Sequence, residues 1–131
     1  MCIFCEMIAG NIPGKKVYED DEVLAILDIS QTTKGHTLVM PKKHYDNFLE
    51  MPEAEFGKLM EKVQCVAKKV TKNLEAKGCN VLINTNPVAG QSVMHTHVHI
   101  IPRYDENDTI KVEFKENKLD LDEVLEQINQ D

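Results

Sequence analysis

Apolar residues at helical spacing and short extended runs bounded by turn residues succeed one another along the chain, and the two patterns predict its elements. Between residues 2 and 9, Ile3, Phe4, Met7 and Ile8 keep helical spacing, and Gly10, Asn11 and Pro13 close a short helix. Residues 16–19 and 22–28 read as extended segments joined by the acidic turn Asp20-Asp21, which predicts an antiparallel hairpin. A polar stretch over 31–35 precedes a third strand at 36–40, stopped by Pro41, which has no N–H to donate. From 53 to 76, Phe56, Leu59, Met60, Val63, Ala67, Val70 and Leu74 follow the i, i+3, i+4, i+7 rule. That predicts one long amphipathic helix, with Gly78 placed as its C-terminal cap. Residues 79–84 and 94–101 supply the fourth and fifth strands around a polar loop at 84–91, and 120–129 suits a final helix. Short turns join most strands and only one crossover helix is available. The fold class is therefore α+β: a largely antiparallel five-stranded sheet with one long helix, a short N-terminal helix and a C-terminal helix.

No repeat, low-complexity tract or linker divides the 131 residues, so residues 1–131 are expected to form a single domain with a C-terminal extension from about 105. Fifteen Lys and Arg against 22 Asp and Glu leave a formal charge of −7, so the surface repels phosphate polymers and a nucleic-acid partner is excluded. No apolar run approaches the roughly 20 residues of a membrane span, and no membrane partner is expected. The opening residues MCIFCEMIAG lack a basic leader region, which predicts a cytoplasmic protein. Four cysteines would form a disulfide framework only in an exported chain. Cys65 and Cys79 stand alone, whereas Cys2 and Cys5 are two residues apart and are the informative pair.

Three of the five histidines occupy positions 95, 97 and 99, and side chains at i, i+2 and i+4 of a strand share one face. Such a row is compatible with a polar sheet face or with a pure metal site. It also suits nucleophilic chemistry at phosphorus, because imidazole is neutral near pH 7 and can leave again. Gly90 lets backbone N–H groups approach a phosphate, and Gln91 and Ser92 offer short polar donors, although Gly-Gln-Ser alone would be an ordinary turn.

The run Ala89-Gly90-Gln91-Ser92-Val93-Met94-His95-Thr96-His97-Val98-His99-Ile100-Ile101 resembles the signature of the histidine triad family. Leu27-Asp28-Ile29-Ser30 and Gly35-His36-Thr37-Leu38-Val39-Met40-Pro41-Lys42 also look like that family, so the resemblance covers most of residues 2–104. Thr96 departs from the motif, standing where an apolar residue belongs, and is expected to affect packing more than chemistry. The resemblance implies that His97 attacks the α-phosphorus of a purine nucleotide conjugate and forms a nucleotidyl-histidine that water hydrolyses. His99, Gln91 and Ser92 would then hold phosphate oxygens and the leaving group. Asp28 matches the ribose carboxylate, and Asn84 and Gly90 belong to the phosphate site. His36 matches a histidine that backs the triad. Ile3, Phe4, Ile26 and Leu27 are candidates for the purine pocket or for core. The leaving group stays open between an amine, as in a nucleoside phosphoramidate, and a second nucleotide, as in a dinucleoside polyphosphate. A non-catalytic nucleotide-binding interaction protein is the third reading.

Cys2-x-x-Cys5 has the spacing of a zinc half-site, or else is simply a pair of thiols. The resemblance implies that His44 and His95 complete a structural Zn2+ site with it. A cation there would disfavour protonation of His97, or would only tie the N-terminal helix to the sheet. It also implies a homodimer formed through the long helix and a sheet edge, with the fourth or fifth strand as the pairing edge.

Overall fold

The computed structural model describes residues 1–130; Asp131, the last residue of the expected domain, lies outside the described residues. The elements are α1 (Ile3–Ile8), β1 (Lys16–Glu19), β2 (Val23–Leu27), β3 (Thr37–Pro41), α2 (Glu53–Asn73), β4 (Gly78–Ile83), β5 (Val98–Arg103) and α3 (Leu121–Ile128), with single 3-10 turns at Phe48–Glu50 and Pro87–Ala89. All four strand pairings are antiparallel, in the order β1-β2-β3-β5-β4. This is the α+β fold expected from the pattern. β5 lies inside the sheet, between β3 and β4, so its backbone is already paired and only β4 remains as the edge on that side.

Alternation along the strands explains how one sheet serves two layers. Val23, Ala25, Val39, Val98 and Ile100 face α2 and pack against its Leu59, Val63, Val66 and Val70. Leu24, Ile26, Leu38 and Met40 point to the opposite face, where Phe4 of α1 covers them. The period of β5 that buries Val98 and Ile100 under α2 therefore delivers His99 to the α1 face. Full burial of a Leu such as Leu59 contributes about 2 kcal/mol.

α2 ends earlier than its apolar period suggests. Glu75 adopts the left-handed conformation (φ 56°), with Glu75 N–H donating to Lys72 C=O at 3.2 Å and Ala76 N–H to Thr71 C=O at 2.9 Å. This terminating motif makes Glu75 the residue with positive φ, and Gly78 instead opens β4. After β5, the Arg103 guanidinium donates to Asp108, Asn80 and the Ile110 carbonyl, and the Tyr104 hydroxyl donates to Lys34 C=O. The start of the C-terminal extension is thereby fastened over the turn that leads into β3. Beyond it, α3 leaves Leu121, Leu125 and Ile128 exposed. No helix among the described residues is long and apolar enough to cross a membrane.

Candidate active site and metal centre

The three histidines are brought together, but not as a strand face. β5 begins at Val98, so only His99 lies on it, while His95 and His97 belong to the irregular segment before it. The strand expected from Met94 is displaced because Thr96 turns inward: its N–H and hydroxyl both donate to Tyr45 C=O, at 2.8 and 3.1 Å. Those bonds tie the segment to the chain after β3 rather than to a sheet ladder. His95 and His97 therefore diverge towards different chemistry.

His97 is buried, and its Nδ1–H donates to the carbonyl of His95 at 2.8 Å. That bond leaves the Nε2 lone pair unprotonated. The ring of Phe4 stands edge-on to it, with centroids 5.0 Å apart, and fixes its plane. Burial pushes the His97 pKa below its ordinary value, and it does the same to His99, which falls to about 4 with the neighbouring His97 and His36 also disfavouring charge. Both rings are neutral at pH 7.

His36 sets the tautomer of His99. Thr32 N–H donates to His36 Nδ1 at 3.3 Å, so His36 Nε2 carries the proton and donates to His99 Nδ1 at 2.9 Å. His99 then holds its own proton on Nε2, ready to donate. Asp28 completes this side. Its Oδ1 accepts from Ser30 N–H at 2.8 Å, while Oδ2 lies 3.6 Å from His36 Nε2. His97, His99, Asp28 and Ser92 line a cleft of about 760 Å³ whose remaining wall is mainly apolar. Ile3, Phe4, Ile26 and Leu27, the purine-pocket candidates, all belong to that wall, joined by Met7 and Ile29.

The loop over 84–92 carries the remaining candidates. Gly90 has φ 97° and Asn86 φ 71°, so the chain reverses tightly here. Asn84 lies against it, its Nδ2 donating to Gly90 C=O at 3.4 Å. Gln91 differs from expectation: it is buried, and its Nε2 donates to Asp46 C=O (2.6 Å) and Val93 C=O (2.9 Å) while its Oε1 accepts from Asn86 N–H (2.7 Å). Both amide protons are spent inside the protein, so Gln91 braces the loop rather than offering donors to a phosphate.

Cys2, Cys5, His44 and His95 form the second constellation. His95 Nε2–H donates to Pro41 C=O at 2.7 Å, and His44 Nε2–H to Asp46 Oδ1 at 2.8 Å. Both rings turn Nδ1 towards the thiols; burial holds His95 neutral, so its Nδ1 is unprotonated, whereas the Asp46 carboxylate raises the His44 pKa. The Sγ–Nδ1 separations are 3.5 Å (Cys2–His95), 3.3 Å (Cys5–His44) and 3.6 Å (Cys5–His95), and the two Nδ1 atoms are 3.2 Å apart. A tetrahedral cation about 2.3 Å from sulfur and about 2.05 Å from nitrogen would hold S–N pairs about 3.6 Å apart and the N–N pair about 3.3 Å apart. The donor set fits an ion of zinc's size and preference. Asp46 and the Pro41 carbonyl were missed in the sequence; the His44-x-Asp46 spacing was the one signal for the former.

The fold and the site define an α+β domain with two neutral imidazoles, His97 and His99, beside a mainly apolar cleft. Residues 9–106 match the HIT domain family, and the chain belongs to it. It is 54% identical over 129 residues to an uncharacterized HIT-like protein of Methanocaldococcus jannaschii, covering 98% of each chain. It is 40% identical over 102 residues to an adenylylsulfatase of Arabidopsis thaliana, covering 78% of this chain and 52% of that one. Among solved structures, a Streptococcus mutans protein superposes with a TM-score of 0.92 at 44% identity over 97% of this chain and 82% of that one. A histidine triad nucleotide-binding protein from Candida albicans gives 0.84 at 32% over 98% and 92%. A Zn-bound histidine triad family protein from Mycobacterium smegmatis gives 0.79 at 35% over 83% and 79%.

Proposed function

We propose that this chain is a nucleotidyl hydrolase acting at the α-phosphate of purine nucleotide conjugates of the nucleoside phosphoramidate type. The observation that carries the reading is His97: buried, neutral, its Nδ1–H committed to the His95 carbonyl and its Nε2 lone pair available beside the cleft. His97 Nε2 attacks the α-phosphorus as the bond to the leaving group breaks, and the departing amine takes up a proton from water in the cleft. Water then cleaves the phosphorus–nitrogen bond, releasing the nucleoside monophosphate and restoring His97. His99 Nε2–H and the Ser92 hydroxyl donate to phosphate oxygens, and the loop at Gly90 gives the phosphate its close approach. Asp28 Oδ2 accepts from the ribose hydroxyls, and Ile3, Phe4, Ile26 and Leu27 take the base. The activity of the Arabidopsis relative, an adenylylsulfatase by name, supports chemistry at a nucleotide phosphate.

Cys2, Cys5, His44 and His95 hold Zn2+ in this reading, and the ion supplies a structural cross-link between α1 and the segment that carries His97. Support comes from the Sγ–Nδ1 distances and from the Zn-bound mycobacterial relative. A cytoplasmic setting, where thiols stay reduced, suits that ligand pair. Two chains pair across the exposed β4 edge and α2, and the C-terminal residues extend the same single unit.

The test is mass spectrometry of the protein briefly mixed with an adenosine phosphoramidate, beside His97→Ala and a zinc assay. AMP release with a trapped adenylyl adduct, lost in the variant, is expected. AMP release from a diadenosine polyphosphate alone would reassign the leaving group. Tight nucleotide binding without turnover of either compound would refute the enzyme.

A further inference from the structure

Asp28, His36 and His99 place three metal-ligating atoms within 4.8 Å of one another, about the cleft and apart from the cysteines. We infer that these three residues form a second cation site, which takes a divalent transition ion such as Zn2+ when no nucleotide is bound. His36 Nε2 and His99 Nδ1 are 2.9 Å apart and Asp28 Oδ2 is 3.6 Å from His36 Nε2. With metal–ligand bonds of about 2.1 Å, those separations correspond to angles of about 90° and about 120° at a common ion, both within ordinary coordination. Asp28 is prepared for the role because Ser30 N–H holds Oδ1 and leaves Oδ2 facing the rings. Asp28 and His99 line the cleft, so the remaining coordination positions open to water. Two imidazoles and one carboxylate select zinc, nickel or copper over magnesium or calcium.

The ion replaces the proton now shared between His36 and His99. His36 then carries its proton on Nδ1 and gives up the 3.3 Å bond from Thr32 N–H, which is longer than the 2.9 Å bond to His99. This cost and the absence of thiolates make the site weaker than the Cys2-Cys5-His44-His95 centre. A cation held here occupies the carboxylate and the imidazole that the proposed reaction uses for ribose and phosphate, so cation and nucleotide exclude one another. That exclusion rests on the proposed function; the cation site does not.

Zinc stoichiometry tests it, by equilibrium dialysis and elemental analysis of the full chain, His36→Gln, Asp28→Asn and the Cys2→Ser, Cys5→Ser variant. Two ions per wild-type chain are expected, one in His36→Gln, and one in the cysteine variant. The tight ion kept by His36→Gln shows that it is folded. AMP is expected to weaken the second ion at least tenfold in the cysteine variant. A cysteine variant that binds no ion, or an ion in that variant's background retained by either His36→Gln or Asp28→Asn, overturns the site. A second ion indifferent to AMP overturns the exclusion. None of these outcomes depends on turnover, so a wild-type chain that forms no adenylyl adduct and turns over neither compound would refute the enzyme and leave the cation site standing.

Discussion

Gly35 immediately precedes His36, and its replacement by alanine tests how the fold holds that ring. Gly35 has φ 93°, and a Cβ built on it would overlap Leu74 Cδ1 at the end of α2 and lie 3.3 Å from Pro102 Cγ. The left-handed backbone costs an L-residue about 1–2 kcal/mol. Crowding against the far end of the half-buried Leu74 side chain, which can turn partly aside, adds about 1–2 kcal/mol. Gly35→Ala is therefore expected to destabilise by roughly 2–4 kcal/mol, which for a chain of this length lowers Tm by roughly 7–15 °C. The two contributions separate in a double-mutant cycle with Leu74→Ala, which removes the crowded methyl and leaves the backbone strain. In that background the Gly35→Ala cost should shrink to about 1–2 kcal/mol. Urea unfolding of the four proteins at pH 7 measures it. Equal costs in both backgrounds, or a cost under about 1 kcal/mol in the wild type, would refute the steric argument. Because Gly35 N–H also donates to Gln31 Oε1 at 2.7 Å, moving it shifts His36 against His99, and turnover of the phosphoramidate should fall with stability.

Glu75→Gly should raise stability by about 0.5–1 kcal/mol, since glycine adopts φ 56° without a Cβ penalty; no gain in thermal unfolding would show that Glu75 is not strained. Burial lowers the His97 pKa, so the neutral nucleophile persists as pH falls through the ordinary 6.5 and is lost only below it. The acid limb of kcat/KM is accordingly expected below 6.5, and a limb at or above that value contradicts the buried-imidazole reading. Cys2→Ser with Cys5→Ser should bind one fewer tight zinc ion and lose the stabilisation that ion confers, about 2.7 kcal/mol where free zinc stands at a hundred times Kd. Thermal melts with and without a chelator measure this, and chelator-insensitive wild-type protein would count against the structural ion.

Much of this protein is legible in its sequence alone. Short extended runs bounded by turn residues and Pro41 located the strands, a 3.6-residue period located α2, and His-x-His-x-His with Cys-x-x-Cys marked both constellations. These are local signals, and the physics behind them acts between neighbours in the chain. What the sequence left open depends on partners far along it. β5 enters between β3 and β4 because its Val98 and Ile100 must lie under α2, which no local pattern states. His95 and His97 share a motif two residues apart, yet the bonds from Thr96 to Tyr45 C=O split them between a thiol cluster and a cleft. Gln91 looks like a phosphate donor until the Asp46 and Val93 carbonyls consume its amide protons. Residue type and spacing determined which chemistry was available; which lone pair faces the cleft was decided by carbonyls and N–H groups that only the packed structure brings within reach.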